Sequence, residues 1–199
     1  MTRDPGHTKE RLLTAANEEF AAHGIAGARV DRIAASAGVN KERIYGYFGN
    51  KQKLFDAVVA RALDEVAEAV PLQGGDDPAE YVGRVYDFHR DNPVLVRLLL
   101  WEGLHYRNEV LPGEDSRRRH YEDKIAALAR SMELPRALGE EAPAEVAPVL
   151  LTLIGLAVWP HAVPQMARLI LGTAAPEVDL REHVVEFARR AVTGARTGV

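Results

Sequence analysis

The tetrapeptide Ala37-Gly38-Val39-Asn40 constrains this chain more than any other short stretch of it. Apolar residues at helical spacing lie on both sides: Val30, Ile33 and Ala34 within about Arg29 to Ala37, then Ile44, Tyr45 and Phe48 within Lys41 to Phe48. A glycine at 38 permits the positive φ of a sharp bend, Val39 offers an apolar plug for the angle, and Asn40 can cap the helix that follows. So short a link cannot let the two helices separate, and they must pack across the bend. With Ile44, Tyr45 and Phe48 turned inward, Lys41, Glu42, Arg43, Gly46 and Tyr47 are left towards solvent. A polar helix face of this kind suits insertion into the major groove of double-stranded DNA.

The rest of the chain repeats the helical period. Thr8 is placed to cap a first helix carrying Leu12, Leu13, Ala16 and Phe20, which Gly24 ends. A longer helix starts at Lys51 with Leu54, Phe55, Val58, Val59, Leu63 and Val66. Pro71 to Pro78, with Gly74, Gly75, Asp76 and Asp77, reads as a turn or linker. Helices are then expected over Ala79 to Arg90, Pro93 to Tyr106, Asp115 to Met132, Ala144 to Leu171 with a kink near Trp159-Pro160, and Asp179 to Ala195. Breaks are expected at Asn92-Pro93, Pro112-Gly113, Leu134 to Pro143 and Gly172 to Pro176. No run alternates Val, Ile and Thr between turns, so no strand is expected. The expected fold is all-α: a three-helix helix-turn-helix head over residues 1–55 and a helical body over residues 56–199.

Charge separates head from body. The net charge of −4 hides nine Lys and Arg against seven acids in the first sixty residues, so the remainder carries the negative excess. A mildly basic head on an acidic body suits a head that meets phosphate and a body that repels it. The absence of cysteine excludes disulfides and thiolate chemistry, and the charged N-terminus lacks the apolar core of a secretory signal; both point to the cytoplasm. Val146 to Ala167 holds no charged residue, but Pro148, Pro160, Pro164, Gly155, His161 and Gln165 make it a poor membrane span. A core or interface helix accounts for it, and no membrane partner is expected. The histidines form no pair at metal-ligand spacing, and no phosphate loop or Gly-x-Ser-x-Gly elbow is present, so neither metal, cofactor nor catalysis is expected.

Ile33-Ala34, Ala37-Gly38-Val39, Ile44-Tyr45, Tyr47-Phe48 and Lys51, followed by Leu54-Phe55, together resemble the signature of the TetR family over about a quarter of the chain. The resemblance implies a DNA-binding regulator with a dimer formed through the C-terminal body and release from operator DNA when a small molecule binds that body. Carried over position by position, Lys41, Glu42, Arg43 and Gly46 would read bases, and Tyr47 and Lys51 would hold phosphates. Lys51 sits at a helix start, where its charge opposes the helix dipole, and a phosphate contact accounts for it. Where the family usually has Thr at the start of the second helix this chain has Ala28-Arg29; the hydroxyl cap is absent and Arg29 is expected to replace its phosphate contact.

In the body, Tyr86, His89, Trp101, His105, Tyr106 and Trp159 combine aromatic faces with polar tips and are the candidate ligand-binding residues, although aromatics at helical spacing also fill ordinary cores. The ligand expected is small and largely apolar. A symmetric homodimer is expected through Ala144 to Leu171 and Asp179 to Ala195, where Val184, Phe187, Ala188 and Ala191 form one stripe. The alternative is a helical small-molecule- or partner-binding protein whose head has lost specific DNA recognition, since Glu42 adds negative charge to the reading face and Gly46 offers no side chain.

Overall fold

The computed structural model describes residues 5–132, 144–173 and 178–197, and among them the secondary structure is helical with no strand. The break expected at Leu134 to Pro143 and most of that at Gly172 to Pro176 lie outside the described residues.

Helix α1, Pro5–Gly27, begins before Thr8, which is buried inside the helix instead of capping it. Gly24 takes φ 62° and ψ −178°, so the helix breaks where glycine was expected to end it, but a further turn carries the chain to Gly27. Helices α2 (Val30–Ala37), α3 (Lys41–Phe48) and α4 (Lys51–Ala69) follow. Gly38 is left-handed (φ 61°) and its N–H bonds back to the carbonyls of Ala34 and Ala35, closing α2. Asn40 Oδ1 accepts the Arg43 N–H at 3.3 Å, opening α3. Ile44 and Phe48, one turn apart, are buried. Tyr45, expected in the core, is 43% exposed: the next position is rotated by about 100° from Ile44, and a two-turn helix buries one narrow stripe. Phe20 and Phe55 meet edge to face at 5.2 Å among fully buried Ile33, Ile44, Leu54 and Val58.

Two compact units divide the chain. The first runs to Val66 and also takes in Pro93–Pro112, so it includes helix α6 (Pro93–Tyr106), which packs on α1; the second holds Ala67–Asn92 and the chain from Gly113 onward. The expected division into residues 1–55 and 56–199 gave α6 to the body. Its attachment to the head rests on Trp101, described below.

In the second unit, α5 (Pro78–Asp91) lies against α8 (Val146–Ala162) and α10 (Leu180–Thr197), while α7 (Glu114–Ser131) packs on α8. Asp77 caps α5 by accepting the Ala79 N–H at 2.9 Å. Arg181 of α10 reaches Asp87 of α5 at 2.8 Å. Lys124 is buried, with its ammonium donating to the Val70 carbonyl at 3.3 Å and the Tyr81 hydroxyl at 3.0 Å.

The long helix expected from Ala144 to Leu171 is two helices, α8 and α9 (Pro164–Leu171), bent by 85°. Pro160 stays inside α8; the break falls at Val163 (φ −131°, ψ 63°), because a residue that precedes proline is driven out of the helical region. Among the described residues no single helix is long and apolar enough to cross a membrane. The α10 stripe also differs from expectation. Val184, Val185, Ala188 and Val192 are buried, whereas Phe187 and Ala191 are exposed on another face of the helix.

Candidate nucleic-acid interface

Burying Ile44 and Phe48 fixes what α3 presents. Glu42, Arg43, Gly46 and Tyr47 are exposed, together with Tyr45, and Arg29 is exposed just before α2. Nothing lies within 4 Å of where a Gly46 Cβ would sit, so packing within the protein does not require glycine there. Lys41 is half-buried, its ammonium 2.9 Å from Asp31 Oδ1 in an ion pair between α3 and α2. The pair, with Tyr45 and Glu42 nearby, holds the Lys41 ammonium above its ordinary value, first through the hydrogen bond to Asp31.

Two local arrangements were not legible beforehand. Arg29 makes no side-chain cap on α2. The start of α2 is instead held by Glu19 from α1, whose carboxylate accepts the Arg29 N–H at 2.8 Å and the Arg32 Nε–H at 2.8 Å. Burial pushes the Glu19 carboxyl up, but the Arg32 and Arg29 hydrogen bonds outweigh it and leave the group below the usual carboxylate range. The missing hydroxyl cap is thus replaced by a carboxylate ten residues upstream. Lys51 is half-buried and donates to the Ala28 carbonyl at 3.2 Å, so it does gain a local bond that the helix-dipole argument did not supply.

The six candidate ligand residues fall into two groups. Trp101, His105 and Tyr106 sit on α6 in the first unit. The Trp101 ring lies over Gly24, where a Cβ would come within 2.7 Å of Cδ2, and its indole N–H donates to the Ala21 carbonyl at 3.3 Å. Tyr106 donates its hydroxyl to Asp56 Oδ1 at 2.7 Å and accepts from Gln52 Nε2 at 2.7 Å. Burial, and then the Asp56 carboxylate, push the Tyr106 hydroxyl up to about 12. His105 is exposed, with its ring edge-on to Tyr106 at 4.9 Å.

The other group lies in the second unit. Tyr86 and His89 are buried on α5, and Trp159 on α8 is 53% exposed. The structure brings Tyr86 against His161, ring centroids 4.5 Å apart, a residue the sequence did not single out as a ligand contact. Burial and the neighbouring His161 hold His89 down to about 4. Among the described residues no cluster of three or more His, Cys, Asp or Glu could hold a metal ion.

The arrangement in the head is a bent pair of short helices, the second presenting polar and basic side chains on one face. Known proteins share it. The family model for bacterial regulatory proteins of the tetR family matches residues 12–58, and that for a tetracyclin repressor-like C-terminal domain matches residues 77–190. The HTH-type transcriptional repressor SCO4008 of Streptomyces coelicolor is 44% identical over 96% of this chain and 97% of its own. The solved structure of SCO4942, also from Streptomyces coelicolor, aligns over 92% of this chain and 97% of its own at 30% identity, with a TM-score of 0.73. AibR, solved with isovaleryl coenzyme A and operator DNA, shares the fold at 18% identity and a TM-score of 0.54, over 77% of this chain and 85% of its own. This chain belongs to the TetR family of bacterial transcriptional regulators.

Proposed function

We propose that the protein is a cytoplasmic repressor that binds its operator as a homodimer and leaves it when a small, largely apolar ligand binds the body. The exposed face of α3 carries this reading: Arg43 supplies donors for base edges, Glu42 and Gly46 line the same face, half-buried Lys41 adds a cation at the start of the helix, and Arg29, Tyr47 and Lys51 are within the same short segment to hold phosphates. The repressor sense draws on the name of the relative SCO4008, and the combination of a ligand with operator DNA on AibR, solved with isovaleryl coenzyme A and operator DNA. Residues 1–55 would form the DNA-binding domain and residues 56–199 the ligand-binding and dimerisation domain.

The dimer reading rests on apolar surface that one protomer does not cover. Leu151 and Trp159 of α8, Leu169 and Ile170 of α9 and Phe187 of α10 are all more than half exposed. Exposed apolar groups on consecutive helices are normally buried by a partner, and two-fold pairing supplies the two heads that a specific site needs.

The test is a gel shift of the full chain against the DNA upstream of its own gene, repeated with a scrambled sequence of equal length. Preferential binding that Arg43→Ala weakens by about 1 to 3 kcal/mol supports the reading. Equal binding to both DNAs supports instead a head without specific recognition, the alternative that Glu42 and the Lys41–Asp31 pair favour.

A further inference from the structure

We propose that His89 and His161 are the polar anchors of a ligand site in the second unit, and that the site takes a neutral molecule carrying a hydroxyl on a mainly apolar frame. The proposal rests on the reading of the body as ligand-binding and names the residues and ligand chemistry of that site. On α5 the buried face passes through Val82 and Val85 to His89; on α8 it passes through Leu150, Leu153 and Ala157, and the next position one turn on is His161. Both helices therefore set an imidazole where their apolar stripes would continue.

Neither imidazole is fully satisfied there. His89 Nδ1 and His161 Nε2 are buried and have no hydrogen-bond partner among the described residues, and His89 as a whole is only 5% exposed. The Tyr86 carbonyl near the His161 ring favours its protonated form, but burial and Arg90 outweigh it. In a neutral imidazole each nitrogen is either a lone pair or an N–H, so each of these two buried atoms lacks either a donor or an acceptor. A buried polar atom without a partner is costly, and two on facing helices are a feature that leucines would have avoided.

The surroundings select the ligand. The Tyr86 ring stands edge-on to His161, and the Phe88 ring lies perpendicular to His89 at 5.6 Å, so each imidazole has an aromatic neighbour. Both imidazoles are held below their ordinary values, His89 by burial and then by His161, His161 by burial and then by Arg90. Both are therefore neutral at pH 7. A charged ligand group would meet the same burial that disfavours the charged imidazoles, which leaves an uncharged polar group as the better fit. A neutral hydroxyl both donates and accepts, so it can satisfy His161 Nε2 or His89 Nδ1 in either tautomer.

The experiment uses the full chain, isotopically labelled, with phenol, toluene and benzylammonium as probes. The readouts are the imidazole ¹⁵N shifts and, in the same samples, anisotropy of labelled upstream DNA. Phenol is expected to shift His161 Nε2 and His89 Nδ1 saturably. Replacing both residues (His89→Leu, His161→Leu) is expected to weaken phenol about tenfold while leaving toluene within about twofold. His161→Leu alone serves if the double variant does not fold. The proposal is overturned if phenol gives no saturable shift, if toluene or benzylammonium binds as tightly as phenol, or if the variants retain phenol. Phenol bound through both histidines with DNA still held keeps the site and overturns ligand release; DNA release by phenol that the variants do not alter does the reverse.

Discussion

The Lys41 ammonium and the Asp31 carboxylate form an ion pair 2.9 Å long between the two helices of the helix-turn-helix. A lysine assigned to base contact is thus already engaged in the free protein, and DNA must compete for it. Asp31→Asn removes the competitor and one negative charge beside the reading face. Operator affinity is expected to rise several-fold at low salt and the gain to shrink as salt is added. Titrations by anisotropy at two salt concentrations check this; a loss of affinity would mean that the pair positions Lys41 for DNA.

Lys51 has two expected effects that separate cleanly. Lys51→Ala deletes the bond to the Ala28 carbonyl, which should lower stability by about 1 kcal/mol. If Lys51 also meets phosphate, the slope of log affinity against log salt falls by about one unit. Urea unfolding and a salt series measure the two; reduced stability with an unchanged slope confines Lys51 to the protein.

Gly46 has open space where a Cβ would be. Gly46→Ala in the middle of α3 should stabilise the head by up to about 1 kcal/mol through helix propensity. If DNA comes close to the α3 backbone, the same change should weaken operator binding. A higher Tm with an unaltered Kd would take Gly46 out of the interface.

His89 makes stability depend on pH. Its folded value is held down to about 4 against the ordinary 6.5, so between those limits the unfolded chain binds the extra proton and the folded chain does not. Stability is fully present above about pH 6.5 and falls as the pH drops towards 4, by at most about 1.4 kcal/mol per unit from this group. Urea midpoints at pH 7 and pH 5 should differ, and His89→Leu should flatten the difference.

Phe187, expected beside Val184 on one stripe, stands 53% exposed on a separate face of α10. Phe187→Asp should shift the protein from dimer to monomer in sedimentation and weaken operator binding with it. A dimer that survives the change moves the interface away from α10.

Local chemistry was the legible part of the fold. Gly38 and Asn40 carry their own backbone requirements, and the turn and cap follow from those residues alone. The α8–α9 break falls at Val163 and not near Trp159-Pro160, because the helix accommodates Pro160 whereas Pro164 drives the residue before it out of the helical region. What stayed hidden involves partners distant in sequence. Glu19 holds the start of α2 from another helix, and His161 meets Tyr86 across two helices, so neither shows as a spacing. The grouping of Trp101 with His105 and Tyr106 on one apolar helix is visible in the sequence, but the seat of Trp101 on Gly24 depends on which helix it faces.

The first compact unit is not one continuous stretch of chain: it closes only when Pro93–Pro112 is added to the segment ending at Val66, with Trp101 covering Gly24. During synthesis the chain must therefore extend well past the helix-turn-helix before α6 exists to complete its unit. At ordinary elongation rates this leaves a delay of about two to nine seconds. In that interval the nascent α1 has its Gly24 face uncovered, a window in which a chaperone can act on a regulator whose sequence motif has already been translated.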